Sequence, residues 1–141
     1  MRNKFPILVI LASLLVVTVI VSGCSRISPF SSPDSTARFV LDNLREGNLD
    51  NAFSGIVDFN GNPLSETTKQ QIRGNVENSK MTGYKIKGIK EIPASADLPQ
   101  SVKDTFEELK MVSYTATFEG VGSEDEELVV GKINGGWKVI L

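Results

Sequence analysis

The hydrophobic period of this chain changes once, at Lys80. Before it, apolar residues recur at i, i+3, i+4 and i+7, which lays one stripe along a helix. After it they alternate, which puts them on one face of a strand. Strands and helices do not alternate along the chain, so the pattern disfavours a parallel sheet built from strand–helix–strand units. A chain of 141 residues has room for one such domain. The predicted class is α+β, with N-terminal helices packed on one face of a curved antiparallel sheet.

The helical half is punctuated by its own capping residues. Ser32-Pro33-Asp34 supplies an N-cap, a proline at the first helical position and an acid in the first turn. Ala37, Val40, Leu41 and Leu44 form the stripe, and Gly47 stops the helix. Asn48 is placed to cap a second short helix with the stripe Leu49, Ala52, Phe53, Ile56. Val57-Asp58-Phe59 reads as a short strand ended by Asn60-Gly61-Asn62-Pro63. Ser65 caps a third helix over about residues 66–79, where only Ile72 and Val76 face inward. That helix is expected to lie over an edge or opening with much of its surface wet.

The second half reads as a meander of four strands. Tyr84 and Ile86, then Ile89 and Ile92, form a strand whose phase slips at Gly88, the mark of a bulge. Pro93 to Gln100 is a loop. Val112, Tyr114, Ala116 and Phe118 alternate with Ser113, Thr115 and Thr117. Gly120 to Asp125 turns the chain, Leu128 to Ile133 is the next strand, and Asn134-Gly135-Gly136 is a hairpin signal. Trp137, Val139 and Leu141 close the chain on one face.

The N-terminus is an address. Met1-Arg2-Asn3-Lys4 is basic, and Phe5 to Val21 is uncharged with only Ser13 and Thr18 polar. A basic end is retained in the cytoplasm while the apolar run enters the bilayer, so the rest of the chain is exported. Val21-Ser22-Gly23-Cys24 comes next. This segment resembles the bacterial lipoprotein signal, whose motif runs aliphatic, small, small, cysteine. The resemblance implies cleavage between Gly23 and Cys24, transfer of a diacylglyceryl group to the Cys24 thiol, and often acylation of its amine. Thiol chemistry explains the requirement for cysteine, since the thiolate is the nucleophile that takes the lipid. An uncleaved membrane helix is the competing reading, and the run is short against the roughly 20 residues a span needs. The organisation expected is a lipoprotein signal peptide at 1–23, lipidated Cys24 and a flexible linker over 24–33, and the α+β domain at 34–141. Phe30 and Ile27 could rest on the domain or on lipid.

Two absences narrow the chemistry. The chain has no histidine, which removes Ser–His–Asp triads, Cys–His pairs and His-ligated metals. Its one cysteine, Cys24, can form neither an internal disulfide nor a thiolate metal cluster. No cofactor is therefore expected. The net charge is −2, and residues 1–23 carry Arg2 and Lys4 but no acid, so the exported part is more acidic still. Nucleic acid, whose phosphates need a basic face, is not an expected partner.

Two stretches carry a family resemblance. Ala37 to Phe53 reads as helix, Gly47-Asn48 turn and second helix, and Val130 to Ile140 reads as a closing hairpin with Trp137 after Gly135-Gly136. The arrangement is similar to the nuclear transport factor 2-like (cystatin-like) superfamily. It resembles in particular small bacterial lipoproteins of uncharacterised role that carry such a domain. The resemblance implies a cone of bent sheet around a long helix. It brings no catalytic residues, because no catalytic pattern of the superfamily's isomerases, dehydratases or hydrolases maps onto this chain.

The remaining constellations have plain readings. Asp58, Asn60 and Asn62 space like the first ligands of a calcium loop, but Pro63 stands where glycine is needed and Lys69 where glutamate is needed. A capped turn is the better reading. Glu124-Asp125-Glu126-Glu127 reads as a solvated hairpin tip. Trp137 reads as a core anchor in preference to a stacking platform. Tyr84 and Tyr114, paired with Asp58 or Asp97, would make an Asp/Tyr proton-transfer site; packing on the sheet with the hydroxyl at the rim is the simpler account. The function expected is that of an exported, membrane-anchored lipoprotein with a non-catalytic domain that binds a small apolar molecule or an envelope protein. The alternative is an isomerase- or dehydratase-like enzyme with an Asp/Tyr pair in the cone. A ligand is expected near the third helix and the Gly88 bend. The lipid on Cys24 would hold the domain at the outer face of the cytoplasmic membrane, or at the outer membrane of a source that has one.

Overall fold

The computed structural model describes residues 28–141. Gly23 and Cys24, with the whole signal segment and Ile27, lie outside the described residues. The elements run α1 (Pro33–Glu46), α2 (Leu49–Ser54), β1 (Ile56–Val57), α3 (Glu66–Asn78), β2 (Met81–Glu91), α4 (Gln100–Thr105), β3 (Glu108–Phe118), β4 (Gly122–Ile133) and β5 (Gly136–Ile140). The strands form one sheet in the order β1-β5-β4-β3-β2. The three long strands and β5 are antiparallel neighbours, as the alternation predicts.

Helix α1 begins and ends where its cap residues require. The Ser35 amide donates to Ser32 Oγ at 3.1 Å and the Ser32 amide donates to Ser35 Oγ at 3.2 Å, a reciprocal box that satisfies two otherwise orphaned donors. Gly47 takes φ +79°, and its amide with that of Asn48 closes on Leu44 and Asn43. Helix α2 departs from expectation at both ends. The Asn48 side chain caps nothing and instead donates to Glu46 at 3.3 Å. Ile56 leaves the helix for β1, so the strand is Ile56–Val57 and not Val57-Asp58-Phe59.

Strand β1 also brings the sheet its parallel pair, which a reading by period did not include. Ile56 and Val57 align parallel to Val139 and Ile140. Ile56 continues the helical spacing of α2, which hides the first residue of the strand, while Val57 is already expected in one. Along that edge, β5 donates from Trp137 to Phe30 O (2.9 Å) and from Val139 to Gly55 O (2.8 Å), and Leu141, just past the strand, donates to Val57 O (3.0 Å). Phe30 thus completes the edge of β5 ahead of β1. Its ring stands edge-on to Phe39 at 5.1 Å between centroids, and the Lys138 ammonium lies 3.7 Å from its centroid. Of the two resting places the sequence left open for Phe30, it takes the domain.

One apolar layer fills the space between α1, α2 and the sheet: Ala37, Val40, Phe53, Ile56, Val112, Val130, Trp137 and Val139. Trp137 is buried there, in the role of core anchor. The opposite face is covered too, which the expectation of helices on one face missed. Val102, wholly buried on α4, joins Phe106, Val57 and Ile140 in a second cluster. Gly131 makes room for it, because a Cβ there would stand 2.5 Å from Phe106. Leu141, expected to close the inner face, is 47% exposed.

The bulge near Gly88 is present as a register shift between Ile86 and Gly88, with a second between Met81 and Gly83. Ile92 falls beyond the strand. The β4–β5 connection has Asn134 at φ +52° and Gly135 at φ +78°, the paired left-handed residues of a two-residue hairpin loop. The turn expected from Gly120 to Asp125 is shorter, because β4 already starts at Gly122. The acidic run is consequently strand and not hairpin tip. Glu124, Asp125, Glu126 and Glu127 stand opposite Ala116, Thr115, Tyr114 and Ser113.

Candidate functional site

A cavity of about 110 Å³ lies where the C-terminal end of α3 meets α1 and the sheet. Leu41, Leu44, Val76, Met81 and Phe118 give it apolar walls, and Ser79 and Tyr114 give it its polar groups. Its walls come from four elements because α1 lies along the sheet while α3 only roofs the gap. No residue of α3 is buried. The helix is held by Ile72 against the main core, by Arg73 to Asp50 at 2.7 Å, and by the Arg73 guanidinium over the Phe53 ring at 5.2 Å. The cavity lies beside the third helix, where a ligand is expected. Gly88 is not a wall; the irregularity beside the cavity is the one between Met81 and Gly83.

The two tyrosines have separate surroundings, and neither meets Asp58 or Asp97. The Tyr84 hydroxyl donates to Asp42 on α1 at 2.9 Å. Burial first, then that hydrogen bond and the Asp42 charge, push its phenol up to about 12. The Tyr114 phenol is raised as well, by burial and then by the charge of Glu126. Glu126 stands directly opposite Tyr114 in the β3–β4 register. The carboxylate beside this phenol therefore comes from the acidic run, which by sequence alone reads as a hairpin tip and not as strand. Strand alternation would have found it: with β4 begun at Gly122, Glu124 and Glu126 share a face with Tyr114, while Asp125 and Glu127 turn outward. A raised phenol pKa keeps each tyrosine protonated at neutral pH, as a hydrogen-bond donor.

The other sequence candidates resolve into structural roles. Asp58 Oδ1 accepts from the amides of Asn60 and Asn62, both at 2.9 Å, which makes the Asp58–Asn62 segment a capped turn. Among the described residues no cluster of acids is placed to hold a metal ion. On the outer face of the sheet, Asp125 accepts from Thr115 at 2.7 Å and from Lys87 at 2.9 Å. Those bonds hold its carboxyl below the usual range. Glu127 pairs with Lys90 at 3.3 Å and also accepts from Ser113. This face is a cross-strand ladder of paired charges.

No protein-family model matches the chain, and no curated protein matches it by sequence. Among solved structures, the chain superposes on a Campylobacter jejuni protein provisionally named an NTF2-like transpeptidase, with a TM-score of 0.54. The match covers 79% of this chain and 99% of that one at 13% identity. The domain has the NTF2-like fold. The helices followed by an open five-stranded sheet are the α+β cone that the Ala37–Phe53 and Val130–Ile140 stretches implied. At this identity the likeness is one of fold, and the transpeptidase in the neighbour's name belongs to the neighbour.

Proposed function

We propose that this NTF2-like chain is an exported lipoprotein, held in the membrane by acylated Cys24, whose domain binds a small apolar molecule in the cavity under α3. The address rests on Val21-Ser22-Gly23-Cys24 after an uncharged run, as in the small bacterial lipoproteins that the sequence resembles. Binding rests on one observation: an apolar cavity with a single phenol donor and one hydroxyl, roofed by a helix with no buried residue. An apolar cavity of ~150 Å³ accommodates benzene, so 110 Å³ is close to ligand size as it stands. Lifting α3 exposes little apolar surface, so enlarging the cavity costs little. Tyr114 has no hydrogen-bond partner among the described residues and would orient a ligand oxygen. Catalysis is the weaker reading, because the cavity wall holds no carboxylate and its one titratable group, Tyr114, is a donor and not a base.

The test uses the lipidated protein in detergent and the neutral apolar dye Nile red. Saturable binding of one dye per chain is expected. Val76→Trp, on the half-exposed helix α3, fills the cavity and should weaken binding at least tenfold without loss of the fold. Binding unchanged by that substitution would overturn the site. Intact mass of the same sample should show loss of residues 1–23 and a diacylglyceryl increment on Cys24. An unmodified full-length mass would overturn the anchor.

A further inference from the structure

We propose that the end of the domain carrying Phe30, the Phe59 turn and the Asn134-Gly135 hairpin lies against the phospholipid bilayer that holds the anchor, and that the ligand cavity faces away from it. This rests on the reading of Cys24 as the lipid-bearing residue. The argument starts from the length of free chain. A linker over 24–33 would let the domain wander, but Phe30 is fixed. Its carbonyl accepts from Trp137, its ring packs on Phe39, and Lys138 covers its face. Ser28 is four steps of chain beyond Cys24, and at most ~3.6 Å per step these reach about 14 Å. Lipid on Cys24 therefore places Ser28 within about that distance of the membrane surface.

The surroundings of Ser28 are suited to a lipid surface. It borders an open groove of about 560 Å³ whose walls include Phe30, Val57, Pro63 and Ile133, with the backbone of Gly61 and of the Asn134-Gly135 turn at its rim. Phe59, in the same turn as Gly61, is 46% exposed, an aromatic ring with no core to enter. Leu141, whose amide bonds Val57 beside that turn, is 47% exposed. The exported part is acidic, so apolar insertion and not attraction to anionic headgroups is the favourable contact.

The opposite end is fixed by strand length. Strand β4 has 12 residues, and at ~3.3 Å each it carries the chain roughly 40 Å from the Asn134 turn to the Gly122 end. Val121, 68% exposed, is at that far tip. Phe118, a wall of the cavity, pairs with Gly122 and with Met81 there. A short tether at one end of the cone thus leaves its mouth turned to the surrounding solution.

Lipidation consumes the one native thiol, so a cysteine introduced elsewhere is labelled uniquely. Phe59→Cys, Ser28→Cys and Val121→Cys, each carrying bimane, are reconstituted in lipidated form into phosphatidylcholine vesicles with a nitroxide-headgroup lipid. Quenching several-fold stronger at 59 and 28 than at 121 is expected, and equal quenching at all three would overturn the orientation. A 20-residue Gly/Ser insertion after Ser25 should lower quenching at 59 to the level at 121. Quenching at 59 that survives the insertion would overturn the tether as its cause. The intact mass separates the two readings: an unmodified Cys24 is failure of the anchor, and a lipidated Cys24 with equal quenching is failure of the orientation.

Discussion

Tyr84 shows what a single hydroxyl does at the seam between helix and sheet. Its phenol would ordinarily lose its proton near pH 10, and burial with the Asp42 contact holds it to about 12. Between those values the folded chain keeps a proton that the unfolded chain has released. The unfolded state then binds fewer protons, so stability is complete below pH 10 and falls as pH rises towards 12. Urea denaturation across pH 8 to 12 should show that decline, and Tyr84→Phe should make it shallower. The raised Tyr114 phenol contributes in the same direction. A decline of equal depth in Tyr84→Phe would show that Tyr84 does not carry it.

At the scale of elements, α1 is where local and tertiary signals agree. Its Ser32 box contributes about 1 kcal/mol, and its stripe enters the core. The stripe is not uniform, however. Leu41 is 2% exposed, while Leu44 is only partly buried, between Tyr114, Phe118 and the cavity. Leu41→Ala should cost about 2–5 kcal/mol by the burial of a leucine in a close-packed site, and Leu44→Ala distinctly less, both read from urea midpoints at constant m-value. Equal costs would mean that the cavity beside Leu44 is not there.

At the scale of the whole molecule, stability is unevenly spread. Two apolar clusters sandwich the β4–β5 half of the sheet, while α3 is held over the cavity by one exposed ion pair, Arg73 to Asp50, by Arg73 over the Phe53 ring and by the edge of Ile72. Exposed pairs contribute little each. Amide hydrogens of α3 should therefore exchange orders of magnitude faster than those of α1, and a bound apolar ligand should slow exchange in α3 selectively. Uniform protection across both helices would remove the basis for a movable roof.

Much of the architecture could be read from residue order alone, because caps and periods are local. Ser32, Gly47, Ser65 and Asn134-Gly135 mark boundaries through their own backbone preferences and hydrogen bonds, and the alternation from Val112 to Phe118 needs only its neighbours. The proposed address ending at Cys24 is likewise a local pattern, Val21-Ser22-Gly23-Cys24 after an uncharged run. The features that residue order could not supply depended on distant partners. Ile56 and Val57 become a parallel strand because β5 offers an edge there, α4 forms because Val102 has a second core to enter, and the acid opposite Tyr114 is Glu126 because the turn before β4 is short. Phe30 joins the domain for the same reason: Trp137 presents an amide without a strand partner and Phe39 a ring to meet it. Cap residues act through bonds within one turn of chain, whereas the cavity, its roof and the seat of Phe30 are set by which surfaces meet once the sheet has curved.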